Sequence, residues 1–116
     1  MILDEAQFVK NTKTRAWKVA RALNAQVKLA ITGTPMENNL MELWALLAIV
    51  ADGLFPSARM FRDLYARPAE SGEDPQVIEK LRRRVRPLML RRTKDVVAAD
   101  LPEKNDVRVN VPLTTA

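Results

Sequence analysis

Two short apolar segments separated by a helix-length stretch constrain how this chain can fold. "MIL" at residues 1–3 and "VKLAIT" at residues 27–32 are both predicted strands, and the second ends at the breakers Gly33 and Pro35. Strand, helix and strand within about 30 residues are typical of a βαβ unit, whose two strands lie parallel. The predicted fold class is therefore α/β, with a partial parallel sheet in residues 1–38.

The intervening helix is predicted within "NTKTRAWKVARALNAQ" at residues 11–26, with Thr12 or Thr14 as its N-cap. Its apolar positions recur at helical spacing: Ala16, Ala20, Leu23 and Val27. The aromatic side chains at Trp17, Trp44, Phe61 and Tyr65 also fall on apolar helix faces, so we expect them in the core.

Residues 39–103 are predicted to be mainly helical. "LWALLAIVA" at 43–51 is apolar almost all round, and at nine residues it is far shorter than the roughly 20 of a membrane span. We expect an enclosed helix that begins at Asn38 or Asn39, with Glu42 placed to complete a capping box.

Two further helices have recognisable starts. Ser57 can cap a short helix whose apolar face is Phe61, Leu64 and Tyr65, and Asp74 and Pro75 can start another as N-cap and first-turn proline. Between them, residues 66–76 are predicted to be a polar, flexible loop. Residues 104–116 are predicted to contain a final half-buried strand, since valines alternate with polar residues there.

Composition excludes several kinds of chemistry. The 116 residues contain neither cysteine nor histidine, which removes disulfides, thiolate nucleophiles, imidazole bases and the usual zinc ligands. The net charge is +5, which favours a polyanionic partner. "MILDEAQ" has no basic n-region, so no signal peptide is predicted, and we expect a cytoplasmic protein, nucleoid-associated if the source is bacterial.

Two carboxylates follow the first predicted strand. In parallel α/β folds the carboxyl ends of strands carry the ligand-binding groups, and in P-loop nucleotidases an aspartate there holds magnesium. Asp4 is therefore a candidate magnesium ligand, and Glu5 is a candidate base for the attacking water. Taken alone, "DEAQ" favours the simpler interpretation, a strand end followed by solvated acids.

A second polar segment, "TGTPMEN" at 32–38, follows the second predicted strand. It would place hydroxyl groups beside the two acids and could hydrogen-bond them. The same residues also suit a simple strand-to-helix turn, in which Gly and Pro set the geometry and Asn supplies the cap. The two interpretations are compatible, because sites often lie in such turns.

Three blocks in this order resemble the Swi/Snf-type (SNF-two) family of helicase-like, DNA-dependent ATPases. They are "ILDEAQFVKN", "LAITGTPMENNLMELWALLAIVADGLF" and "LMLRRTKDVVAADLPEK". The resemblance covers nearly the whole chain and implies the C-terminal part of a first RecA-like lobe, with residues 39–103 forming its helical protrusion. Gln7 stands where the family more often has histidine.

The resemblance implies a role for individual residues. Asp4 would hold Mg²⁺ and Glu5 would activate the catalytic water. Gln7, Thr32, Gly33 and Thr34 would couple hydrolysis to the nucleic-acid face. The residues implied near DNA are Lys10, Asn11, Arg91, Arg92 and Lys94. For the arginine-rich segment 82–94, a solvated helix face is as compatible with the residues alone as DNA contact is.

The sequence contains no G-x-x-x-x-G-K-[ST] pattern, so it has no loop of the kind that cradles a triphosphate. The expectation is a piece of a larger ATPase that uses ATP and Mg²⁺ with double-stranded DNA. By itself the piece would be inert, would bind no cofactor tightly and would tend to self-associate through its exposed sheet. The alternatives are a non-enzymatic DNA- or protein-binding domain with the family's shell, or a fragment without an independent role.

Overall fold

The computed structural model describes residues 1–36, 39–72 and 74–92. Two strands, β1 (Ile2–Leu3) and β2 (Leu29–Ala30), pair in parallel, with Ile2 opposite Leu29 and Leu3 opposite Ala30. Helix α1 (Arg15–Ala22) connects them, so the predicted βαβ unit is confirmed. The strand predicted at 107–111 lies outside the described residues.

Helix α1 buries only part of the predicted face: Ala20 is in the core, as is the predicted core residue Trp17, whereas the other three apolar positions are exposed. Its N-cap is Thr14, one of the two predicted caps. The Thr14 side-chain oxygen accepts from the Trp17 N–H. The helix ends at Ala22, so Leu23 and Val27 lie beyond it and are exposed, and Ala16 is exposed as well. Trp17 and Ala20 are the buried residues of α1, because the large indole takes the core position.

Helix α2 (Leu40–Val50) forms the centre of the described core. Asn39 caps it by accepting from the Glu42 N–H, and residues 44–49 are buried without interruption, which confirms the prediction of an enclosed helix. Both tryptophans form hydrogen bonds to the main chain. The Trp17 indole donates to the Ala45 carbonyl at 2.9 Å, and the Trp44 indole donates to the Phe55 carbonyl at 3.0 Å. These bonds satisfy the polar end of each ring inside the core.

The remaining helices pack against α2. After the Ser57 cap, α3 (Ala58–Phe61), a π-helical turn (Arg62–Ala66) and α4 (Arg67–Ser71) follow one another without a break. Helix α5 (Pro75–Val85) starts as predicted, with the Asp74 side chain accepting from the Gln76 N–H, and a 3-10 turn (Arg86–Leu88) follows it. The core cluster consists of Trp17, Ala20, Trp44, Ala45, Leu47, Ala48, Ile49, Phe55, Phe61, Leu81 and Val85.

Two predictions for this region are wrong. Residues 67–71 are helical rather than loop: α4 continues directly from the π-helical turn, and Gly72 ends it in the left-handed conformation. Leu64 is 56% exposed, since the wider π-helical turn changes which residues face α2. Among the described residues, no helix is long and apolar enough to cross a membrane.

Candidate functional site

The parallel pairing of β1 and β2 brings the ends of both strands to one edge of the sheet. Asp4 and Glu5 follow β1 directly, and Thr32 lies two residues beyond β2. Ala6, which is buried, donates its N–H to the carbonyl of Ile31 at 2.9 Å and so continues the strand pairing into this edge. The acidic segment and the Thr-Gly-Thr-Pro segment are therefore held against each other by main-chain bonds.

A chain of three side chains connects the two segments. The Gln7 amide nitrogen donates to Glu5 Oε2 at 2.6 Å, and Thr32 Oγ1 donates to Gln7 Oε1 at 2.7 Å. The Thr32 hydroxyl also accepts from the Thr34 N–H at 3.1 Å. Gln7 suits this position because one planar amide offers a donor to the carboxylate and an acceptor to the hydroxyl at once.

The backbone at Glu5 is unusual. Its φ of 50° and ψ of 47° place it in the left-handed region, and it is the one non-glycine residue with positive φ in the described part of the chain. This conformation costs roughly 1–2 kcal/mol for a residue with a Cβ. Backbone strain of this kind concentrates at functional sites, where the surrounding structure maintains it. No sequence pattern indicated it.

Asp4 is exposed, and its Oδ1 accepts from the Glu5 N–H at 2.9 Å. Magnesium is usually held by one or two carboxylates together with substrate phosphates and water, so an exposed carboxylate at this edge fits the ion. Within the described ranges, no three His, Cys, Asp or Glu side chains are grouped as a metal site. The donor set therefore fits an ion shared with phosphates rather than one enclosed by protein ligands.

Gly33 and Thr34 complete the segment after β2. Both are exposed, and a Cβ added at Gly33 would meet no atom within 4 Å. The structure thus gives no steric reason for glycine at position 33. Thr34 joins the hydrogen-bonded chain through its main-chain N–H.

Lys10 and Asn11 have partners within the protein. Lys10 Nζ lies 3.2 Å from Glu42 Oε2, and each of the two side chains is only 15% exposed. Asn11 forms the turn before α1: its Oδ1 accepts from the Lys13 N–H at 3.0 Å, and its carbonyl accepts from the Thr14 hydroxyl at 2.8 Å. Sequence reasoning assigned both residues to DNA and missed these contacts.

One exposed arginine of the basic cluster, Arg84, also contacts two aromatic side chains. The Arg84 guanidinium lies 5.0 Å from the centroid of the Phe55 ring and donates to the Tyr65 hydroxyl at 3.0 Å. Arg91 and Arg92 are exposed, whereas Lys94 lies outside the described residues. Residues 54–92 contain ten Arg or Lys and five Asp or Glu, a net charge of +5 that equals that of the whole chain. The positive charge is thus concentrated in the helical part.

Comparison with solved structures identifies the fold. The structure superposes on the Sulfolobus solfataricus SWI2/SNF2 ATPase core in complex with dsDNA with a TM-score of 0.76 and 36% sequence identity, covering 87% of this chain and 22% of that one. A second structure, of the Sulfolobus solfataricus SWI2/SNF2 ATPase core domain, gives a TM-score of 0.71. The described α/β unit is thus part of a RecA-like ATPase core.

Sequence relatives agree with the structural match. The chain is 42% identical to the Zorya protein ZorD of Escherichia coli in an alignment of 116 positions that covers 98% of this chain and 11% of that protein. It is 40% identical to the putative ATP-dependent helicase/translocase YwqA of Bacillus subtilis, covering 97% of this chain and 12% of YwqA. Identity to the chromatin-remodeling ATPase INO80 of Candida albicans is 38%, over 99% of this chain and 9% of INO80.

Residues 1–116 match the SNF2-related domain family, and the chain belongs to that family. It spans about a tenth of the length of the curated relatives that it matches. The resemblance inferred from the three sequence blocks is confirmed.

Proposed function

We propose that these residues supply the water-activating and coupling part of a DNA-dependent ATPase that translocates on double-stranded DNA. The observation that carries the proposal is the hydrogen-bonded chain from Glu5 through Gln7 to Thr32 at the carboxyl ends of two parallel strands. It connects the candidate base to the segment after the neighbouring strand, so a movement of one is transmitted to the other. Membership of the SNF2-related family supports ATP as the substrate.

Each polar residue at the sheet edge has a distinct task in this proposal. Asp4 would hold Mg²⁺, which when bound neutralises charge on the nucleotide phosphates. Glu5 accepts the proton of the attacking water, and the Gln7 amide fixes the orientation of its carboxylate. Thr32 holds the other end of that amide, so the position of Glu5 depends on the segment that follows β2.

Hydrolysis in this proposal belongs to a longer polypeptide. The 116 residues include no phosphate-cradling loop pattern, and phosphate contacts supply much of the binding of a nucleotide. The sequence and structural relatives are several times longer than this chain. The isolated chain is therefore proposed to be inactive as an ATPase.

Double-stranded DNA is the proposed polyanionic partner. Support comes from the net positive charge of residues 54–92, from the exposure of Arg91 and Arg92, and from the match to an ATPase core in complex with dsDNA. Lys94 is proposed to act with the two arginines. Contacts of this type go to phosphates and are independent of base sequence.

The proposal is tested by measuring phosphate release, with and without double-stranded DNA, in the full-length natural polypeptide that carries these residues. Asp4→Asn should lower the affinity for magnesium–nucleotide and the rate of hydrolysis together. Asp52→Asn is the matched control, since Asp52 is an exposed acid that lies 3.5 Å from Arg21, away from the sheet edge. DNA binding without any hydrolysis by the unmodified polypeptide would contradict the proposal and favour a non-enzymatic DNA-binding domain.

A further inference from the structure

The turn that contains Gln7 has a second contact, with the helix that follows the Thr32 segment along the chain. Gln7 belongs to a 3-10 turn (Ala6–Val9), and Lys10 is the residue that ends this turn. Glu42 lies in the first turn of α2, the helix that follows the Thr32 segment along the chain. The Lys10–Glu42 ion pair, at 3.2 Å, therefore connects the turn that contains Gln7 to the helix that follows the Thr32 segment along the chain.

This ion pair is shielded from solvent, unlike the other pairs in the described residues. Its side chains are 15% exposed on both sides, whereas those of Arg83 and Glu79 are 80% and 53% exposed. Shielded charges are screened less by salt and hold a more definite geometry than exposed ones. Glu42 is also fixed through its backbone, because its N–H donates to Asn39 Oδ1 at 3.2 Å and it lies where the helix dipole favours a carboxylate.

A further contact ties the same region to α2. The Trp17 indole, in α1, donates to the Ala45 carbonyl at 2.9 Å, and Ala45 lies three residues after Glu42. Residues 10–17 are thus attached to α2 at two places about one helical turn apart. Since α2 is buried over residues 44–49, it provides a rigid support for both attachments.

We propose that Lys10 and Glu42 are positioning residues that set the register in which Gln7 meets Thr32. Their role is to keep the coupling segment and the candidate base in contact while DNA is bound, so the pair governs DNA stimulation of hydrolysis. Lys10 then acts inside the protein and not on a phosphate, which replaces the role in DNA binding implied by the sequence resemblance. This inference rests on the proposed ATPase function.

A double-mutant cycle in the full-length natural polypeptide tests the proposal. The variants are Lys10→Met, Glu42→Gln and the two combined, with Arg83→Met as a matched control that breaks an exposed pair. Each single variant should lower the ratio of DNA-stimulated to basal turnover by roughly 2- to 30-fold, the range for residues that transmit coupling, and should leave the KM for ATP unchanged. The combined variant should be no worse than the more severe single one, since both remove the same interaction.

Two results would overturn the inference. Additive losses in the combined variant would mean that Lys10 and Glu42 act separately. A decrease of about 1 in the salt slope of DNA binding for Lys10→Met would mean that Lys10 contacts a phosphate. The inference predicts an unchanged slope.

A measurement without nucleotide separates this inference from the proposed function. Lys10→Met should accelerate hydrogen exchange at the amides of Ala6 and Phe8, whose N–H groups bond to Ile31 and Glu5, while amides of α5 keep their rates. If the unmodified polypeptide hydrolyses no ATP, the proposed function fails, and these exchange rates still decide whether the pair holds the segment. Unchanged exchange at both amides would contradict the inference.

Discussion

Thr32 Oγ1 and Gln7 Oε1 lie 2.7 Å apart, and this contact joins two residues that are 25 positions apart in the chain. It forms because the parallel pairing of β1 with β2 brings both strand ends to the same edge of the sheet. Gln7 in turn bonds to Glu5, so the candidate base is connected through two hydrogen bonds to the segment after the neighbouring strand.

Removing the Thr32 hydroxyl tests the connection itself. Thr32→Val keeps the shape but leaves Gln7 Oε1 without its donor, whereas Thr32→Ser keeps the hydroxyl. A hydrogen bond of this kind contributes about 0.5–1.5 kcal/mol, so Thr32→Val should lower DNA-stimulated turnover about 2- to 10-fold. The serine variant should stay close to wild type. Equal turnover for the two variants would show that the hydroxyl has no part in coupling.

The left-handed backbone at Glu5 gives a prediction about stability. Glu5→Gly and Glu5→Ala both remove the carboxylate, but only glycine adopts a φ of 50° without steric cost. The glycine variant should therefore be more stable than the alanine variant by about 1 kcal/mol in urea unfolding. Equal stability of the two variants would mean that residue 5 leaves the left-handed region in solution.

Variants of the basic residues should have two different effects: those at positions 91 and 92 should change DNA binding, and the one at position 84 should change stability. Arg91→Ala with Arg92→Ala should reduce the salt slope of DNA binding by about 2, because two phosphate contacts are lost. Arg84→Ala should leave that slope unchanged and lower the free energy of unfolding by about 0.5–1.5 kcal/mol, because it loses the Phe55 ring and the Tyr65 hydroxyl. An unchanged slope in the double variant would identify residues 91 and 92 as a solvated surface.

Local signals in the sequence predicted the helix starts well. Thr14, Asn39, Ser57 and Asp74 each accept a main-chain N–H two or three residues ahead, and such a bond depends on neighbouring residues alone. The parallel sheet was predictable for a similar reason, since a strand, helix and strand of these lengths have few ways to pack. The carboxylates and hydroxyls of the candidate site followed from their positions at the strand ends.

Features that depend on tertiary packing were not predictable. Leu64 lies in the π-helical turn at 62–66 and is exposed, and no residue pattern predicts such a turn. The left-handed conformation of Glu5 and the Lys10–Glu42 pair require contacts between distant segments. A lysine near an acidic motif in a basic chain suggests DNA, and no local pattern indicates that Lys10 also pairs with Glu42, 32 positions away.

The exposed apolar residues around the sheet predict self-association of the 116-residue chain in isolation. Ile2, Phe8 and Val27 are 69%, 78% and 73% exposed, and within the described part of the chain no third strand pairs with the two-stranded sheet. Light scattering of the isolated chain should show an apparent mass that rises with concentration. A monodisperse monomer of 13.1 kDa at high concentration, with a cooperative melt, would contradict this expectation.

The role of Glu5 is tested most directly by comparing nucleotide affinity with turnover in Glu5→Gln of the full-length natural polypeptide. Glutamine keeps the shape and the contact with Gln7 but cannot accept a proton at neutral pH. We expect nucleotide affinity to remain near that of the unmodified protein, and DNA-stimulated phosphate release to fall by roughly 10²- to 10⁴-fold, the usual contribution of a positioned general base. Near-normal turnover in Glu5→Gln would show that this carboxylate does not activate water and would contradict the assignment of the catalytic residue.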